Sequence, residues 1–436
     1  MQTLLVTVGG SHQPIKKAIE DLQPDKVIFI CSKDDAETGQ KGSWVSVIGK
    51  GNVNKSRPGI EKPDLKNLVS LCQLPEQDYP EPNNLEYNSG NIVLVTPDNL
   101  TEVYIEIEKV IKNIDLTAVV ADYTGGTKTM TAALAMIATD YNLKLNLVVG
   151  TRADLVKVQN GSEESISIDL QQLRFLRNIK PITRLWSHYG YQQTQMAIEA
   201  IPVTVQNQNC RRLVAQLSRA FSAWDCFDHQ QARNILGAYQ NKIAKYYYYH
   251  LTVIKHLVDA QTDEKYTPYL IIDLWNNARR KASQGYYDDA IGRVYRMIEW
   301  TAQWLLKNAT GWETADLPEE AKSEGIYITR NRKGQNQAGL FAVWQLLRKY
   351  GNDQARDFID KQLEALMNHV NIRNQSILAH GFTPVTQLQW ERLKDWLEIH
   401  FIPMFIKQVH QNDNSMKLDI EKMQLPSRFE QKLFID

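Results

Sequence analysis

At 436 residues, with 43% hydrophobic, 9% aromatic and 23% charged side chains, the chain is long enough for two domains of about 150 residues or more, and its composition excludes a disordered or low-complexity protein. Fifty Lys and Arg balance fifty Asp and Glu, so bulk charge draws no polyanion to the molecule and any nucleic-acid site has to be local. Cys31, Cys72, Cys210 and Cys226 show no CxxC spacing, and no apolar run approaches the roughly 18 residues of a membrane span; the expectation is a reduced, cytoplasmic protein with no disulfide framework, bound metal or membrane contact.

Short runs rich in Val, Ile and Leu read as buried strands over Leu4–Val8, Lys26–Cys31, Asn91–Val95, Leu116–Ala121 and Leu145–Val149. Between them lie helical faces: Ile15, Ala18, Ile19 and Leu22; Leu100, Val103, Tyr104 and Ile107; Met130, Ala133, Leu134 and Ile137. Strands alternating with helices predict a mostly parallel sheet covered on both faces, whose ligands bind beyond the carboxyl ends of the strands.

Two loops fall at such ends. In VGGSHQP, Gly9 and Gly10 leave a strand and Ser11 is placed to cap a helix starting near Gln13. In ADYTGGTKTM, Thr124, Gly125, Gly126, Thr127 and Lys128 lead into the next helix. Glycines admit a ligand to the backbone, hydroxyls donate and an ammonium neutralises phosphate, so both loops suit an anion; the plainer reading is a tight strand-to-helix turn. Thr127 rather than Gly precedes Lys128, which excludes a Walker A loop, and no GxGxxG follows the first strand.

A strand ending in GGS and a later one ending in DYTGGTKTM make residues 1–170 resemble the CARF domain, the cyclic-oligoadenylate sensor of type III CRISPR defence. The resemblance implies a homodimer whose facing loops bind a ring of RNA through Gly9, Gly10, Ser11, Thr124, Gly125, Gly126, Thr127 and Lys128, an arrangement suited to a two-fold axis. Downstream, LVKVQNGSEESISIDL alternates about Asn160-Gly161 and predicts a hairpin at an edge of this domain. Irregular patterning with Pro181 and Pro202 predicts a connection there. The expected division is 1–175 for the sensor, 176–209 for a connecting segment and 210–436 for a helical region.

In that region YYDDAIGRVYRMIEWTAQWLL places Ala290, Ile291, Val294, Tyr295, Ile298, Ala302 and Leu305 on one core stripe. The loop SEGIYITRNRKGQNQAG carries Arg330, Arg332 and Lys333, which can grip an RNA backbone or simply be solvated. Further on, Ile359, Leu363, Leu366, Met367 and Val370 form an apolar face whose heptad extension passes through Arg373 and His380. On a continuous helix those two side chains share a face, roughly 10.5 Å apart along the axis. The alternative is a break near 368–371, with Gly381 closing the helix in a left-handed conformation behind His380. Polar residues on a core stripe mark functional sites: an imidazole can move protons near neutral pH while a guanidinium fork holds a phosphate. Taken alone, the pair is better explained by a histidine capping carbonyls and a salt-bridged arginine.

RNQSILAH also resembles the R-x4-6-H motif of HEPN ribonucleases, here with six intervening residues and an Asn directly after the Arg. Behind a CARF-like domain, that motif is the arrangement of CARF–HEPN ribonucleases of type III CRISPR systems. The resemblance implies an α/β Rossmann-like domain with a mostly parallel sheet, followed by an all-α HEPN domain. It further implies a single-stranded RNA endoribonuclease with Arg373, Asn374 and His380 in a composite site between two chains, working without metal or other cofactor. The activator would be a cyclic oligoadenylate, with cyclic tetra-adenylate the favoured ring. Two other functions remain open: a sensor without catalysis, and a nuclease that degrades its own ring.

Overall fold

The computed structural model describes residues 1–49, 67–82, 88–150, 162–205, 207–323 and 325–430. Contacts divide the chain into Met1–Arg177 and Asn178–Asp436.

The first unit is built on strands β1 (Thr3–Thr7), β2 (Lys26–Ser32), β3 (Asn88–Ser89), β4 (Ile92–Val95), β5 (Val119–Asp122), β6 (Lys144–Val149) and β7 (Glu164–Ile168). Among the described residues they form one seven-stranded sheet in the order β3-β4-β2-β1-β5-β6-β7. The five inner strands are parallel, and β3 and β7 run antiparallel at the edges. β1 is central, with Thr3 opposite both Lys26 and Val119. Its residues are buried throughout, as expected where helices cover both faces. Alternation sends Leu5, Ile28, Ile30, Val93 and Ala121 to one core, shared with Val103 and Ile107 of the helix Leu100–Ile111 and with Met130, Leu134 and Ile137 of the helix Lys128–Asp140. Leu4, Val6, Val27, Phe29 and Leu94 go to the other, with Ile15 and Ile19 of the helix Gln13–Leu22. The five expected strands are all present. Leu116–Ala118, expected as strand, is a 3-10 turn, because the Asp115 carboxylate accepts the Thr117 N–H at 3.0 Å and holds the chain out of the ladder. β7 supplies the expected edge; Asn160-Gly161 lies outside the described residues.

Residues 176–209, expected as an irregular connection, are largely helical. The helix Gln171–Ser187 carries Pro181 in its interior and is followed by the helix Tyr191–Glu199. Phe175, Ile179, Ile182 and Trp186 are buried along it at spacings of four, three and four, and that stripe outweighs the lost N–H of the proline.

The second unit is helical, with the principal helices Gln208–Asp225, Gln240–Asp259, Thr267–Ser283, Tyr287–Thr310, Leu340–Tyr350, Asp353–Gln375, Gln387–Trp396 and Ile402–Asn412. Its interior holds a charge pair: fully buried Arg280 donates to Asp225 at 2.6 Å and to Gln424 at 2.6 Å. Burial would raise the Asp225 carboxyl, but Arg280 and Lys281 hold it below the usual carboxylate range. The basic loop beyond Gly325 is an addition to the all-helical expectation: Ile328–Arg330 pairs antiparallel with Asn336–Ala338. Its turn uses Gly334 at φ +82°. Arg330 is bound to Glu319 at 3.0 Å, leaving Arg332 and Lys333 exposed at the tip.

Candidate ring site and candidate active site

β1 and β5 are neighbours, so both glycine loops leave the sheet side by side. A Cβ added at Gly9 would stand 2.7 Å from the Gly126 nitrogen, and one at Gly125 would stand 2.3 Å from the Thr7 carbonyl oxygen. Gly126 adopts φ +87°. These positions need glycine because two backbones touch there. Thr7 Oγ1 donates to the Gly125 carbonyl at 2.5 Å and ties the loops together.

The hydroxyls prove to be internal fasteners. Thr127 caps the helix Lys128–Asp140, accepting the Met130 N–H at 3.3 Å and donating to the Pro97 carbonyl at 2.8 Å. Thr124 Oγ1 accepts the Val148 N–H at 2.8 Å and lies against Asp122. Asp122 is fully buried; its carboxylate takes the Thr124 N–H at 3.0 Å and the Asn146 amide at 2.6 Å. Burial pushes this carboxyl up in spite of those donors. Asp122 and Asn146 were missed as loop supports, and the Asp beside the TGG run was the available signal. The backbone N–H groups of Gly9, Gly10, Gly125 and Gly126 have no acceptor among the described residues, and Gly10 and, at a helix N-terminus, Lys128 are exposed. Ser11 is exposed and does not cap the first helix; His12 holds that position without a side-chain cap bond.

A turn folds His380 back onto the backbone of Asn374, the residue after Arg373. The helix Asp353–Gln375 passes unbroken through 368–371 and stops at Gln375, where Ser376 turns extended and is itself buried. His380 therefore lies beyond the helix. The chain folds back over Ser376, whose carbonyl accepts the N–H groups of Ala379 at 3.0 Å and Gly381 at 3.1 Å, and the His380 N–H donates to the Asn374 carbonyl at 3.3 Å. Gly381 closes this turn without a left-handed φ. It is glycine because a Cβ there would stand 1.8 Å from the Gln375 carbonyl oxygen.

Ile359, Leu366 and Val370 are buried as expected. Arg373 follows them half-buried, its guanidinium carbon 4.6 Å from the centre of the Tyr295 ring and Nη1 3.4 Å from Asn374 Oδ1. His380 is exposed, flanked by the exposed apolar side chains of Ile377, Leu378 and Phe382. Among the described residues no three His, Cys, Asp or Glu side chains gather as metal ligands. No helix among them is long and apolar enough to cross a membrane.

Residues 259–401, which contain this turn, match the family described as the Csm6 HEPN domain. The whole chain superposes on Enterococcus italicus Csm6 bound to cyclic hexa-2'-fluoro-hexa-dAMP, with TM-score 0.56 and 13% identity over 100% of this chain and 99% of that one. Over residues 259–401 the chain is similar to the Csm6 HEPN domain, and over its length it has the fold of that Csm6. No curated protein matches the chain. The matched segment runs from the end of the helix Gln240–Asp259 to Phe401. Both the helix bearing Tyr295 and the turn bearing His380 fall inside it.

Proposed function

We propose that the protein is a homodimeric, metal-independent endoribonuclease for single-stranded RNA in type III CRISPR defence, switched on by a cyclic oligoadenylate held at the Gly9 and Gly125 loops. The observation that carries this reading is an arginine lacking a carboxylate partner among the described residues, with an exposed histidine folded back onto the adjacent Asn374 backbone, in a segment that matches the Csm6 HEPN domain. An arginine left uncompensated has its charge available for a phosphate.

The chemistry needs a base, an acid and a charge clamp. The substrate's 2′-hydroxyl attacks the adjacent phosphorus and loses its proton to one imidazole. The bond to the 5′-oxygen breaks, and that oxygen takes a proton from a second imidazole. A 2′,3′-cyclic phosphate and a 5′-hydroxyl result, with no water consumed and no metal required by the balance. One chain supplies one such histidine, and a second copy supplies the other. The exposed apolar residues Ile377, Leu378 and Phe382 around His380 support a self-contact at this place. Activation requires that the ring bind one arrangement of the dimer better than another.

The ring site is supported by its amide row, its close-packed glycines and Lys128. The neighbour's six-nucleotide ligand gives cyclic hexa-adenylate a claim against the tetra-adenylate favoured by the sequence. The test is cleavage of a fluorescent single-stranded RNA in EDTA with each ring. Ring-dependent cleavage in EDTA is the expected result and identifies the activator. Ring binding by calorimetry with no cleavage of any RNA tested would leave a sensor without catalysis, and a ring consumed over time would add self-limiting ring degradation. A companion prediction concerns Lys128→Ala: loss of a charge-assisted phosphate contact should weaken ring binding by roughly ten- to a hundredfold. RNA turnover at saturating ring should stay near that of the wild type, and an unchanged ring affinity would place the phosphates elsewhere.

A further inference from the structure

Several arginines of the helical unit are held by carboxylates. On the helix Tyr287–Thr310, Arg293 binds Asp289 at 2.9 Å and Arg296 binds Glu299 at 2.7 Å. Arg348 binds Asp360 at 2.6 Å, and Arg356, on the helix of Arg373, reaches Asp353 at 3.5 Å. Arg373 departs from the pattern: it is half-buried, has no carboxylate within ion-pair distance among the described residues, and is covered by the Tyr295 ring at 4.6 Å. Glu299, one turn beyond Tyr295 on its helix, is occupied by Arg296. Tyr295 reads in sequence as one more member of an apolar stripe, but it is half-buried where Val294 and Ile298 are buried.

We propose that Tyr295 is a positioning residue, whose ring face fixes the Arg373 guanidinium while leaving its charge uncompensated for the RNA phosphate. A carboxylate in its place would orient the fork equally well but would occupy the donors and cancel the charge that the phosphate and its transition state require. An aromatic face attracts the cation through its quadrupole and leaves the in-plane N–H groups free. Asn374 Oδ1, at 3.4 Å from Nη1, restrains the fork from a second side. The phenol is not a hidden anion: burial and the Glu299 carboxylate push its pKa up, against the opposing pull of Arg373. The contact is therefore with the ring, and it should survive loss of the hydroxyl.

The inference rests on the ribonuclease reading, and the test separates the two. Tyr295→Phe, Tyr295→Leu and Tyr295→Glu are compared with Arg373→Ala for ring-stimulated cleavage, with kcat and KM determined separately and folding followed by calorimetry. Expected are a kcat within about threefold of wild type for Phe and a kcat lowered about tenfold for Leu, with KM little changed. For Glu the activity should fall to the level of Arg373→Ala, because the new carboxylate neutralises the clamp. The inference is overturned if Leu retains full kcat, if Phe falls as far as Leu, or if the Leu loss tracks the unfolded fraction. If Arg373→Ala itself cleaves RNA normally, the ribonuclease reading fails as well. If Arg373→Ala is inactive while Tyr295→Leu is not, only the role of Tyr295 is lost.

Discussion

Replacing His380 with alanine is expected to lower ring-stimulated RNA cleavage about a thousandfold while leaving ring affinity and thermal stability unchanged. A positioned proton-transfer group contributes roughly a hundred- to ten-thousandfold, and in a two-fold site one substitution removes both the base and the acid. Stability is spared because the imidazole is exposed and makes no side-chain hydrogen bond or ion pair among the described residues; its backbone N–H is engaged, and alanine keeps that donor. Cleavage is followed by fluorescence at saturating ring and ring binding by calorimetry. A His380→Ala protein that cuts at the wild-type rate would remove the histidine from the chemistry. An equal loss of ring binding would point to a folding defect.

Gly381→Ala should be nearly as damaging, although it adds one methyl group to a half-exposed loop. With the Cβ position 1.8 Å from the Gln375 carbonyl oxygen, the obstacle is backbone that cannot swing aside as a side chain would. The turn must therefore open, and with it the hydrogen bonds that join Ser376 to Ala379 and Gly381. A displacement of about 1 Å at a catalytic group can cost about a hundredfold in rate. The expectation is a hundredfold lower kcat with ring binding intact, since the ring loops belong to the other unit. Wild-type kcat in Gly381→Ala would show that the position of His380 is not set by this turn.

These two residues also mark where sequence reading stopped. The spacing of Arg373 and His380 and the glycine after them were visible. Heptad arithmetic, however, carried the helix through His380, whereas it ends at Gln375 and the chain folds back over Ser376. Gly381 is explained by a close backbone approach rather than by a left-handed φ, and no local pattern distinguishes the two reasons. The parallel sheet was legible because strands buried on both faces read as continuous Val, Ile and Leu runs. The helix through Pro181 was not, since its support comes from the burial of Phe175, Ile179, Ile182 and Trp186 against the local rule. At the two glycine loops the sequence marked residues that the sheet brings side by side but not their division of labour: the hydroxyls of Thr124 and Thr127 secure the loops internally, while Lys128 is exposed. Tyr295 passed as core because periodicity places a side chain without saying what lies over it.

The central position of β1 has a consequence for synthesis on the ribosome. It is the first strand to emerge, and Lys26–Ile30 follow soon enough to pair along one side of it. Its other side waits for Val119–Asp122, more than a hundred residues later, so the sheet cannot be completed as the chain appears in order. Pairings so distant along the chain close slowly. Because the two glycine loops leave from these same two strands, the proposed ring site is assembled only in that late step. A nascent chain released before residue 119 would carry the first loop without the second.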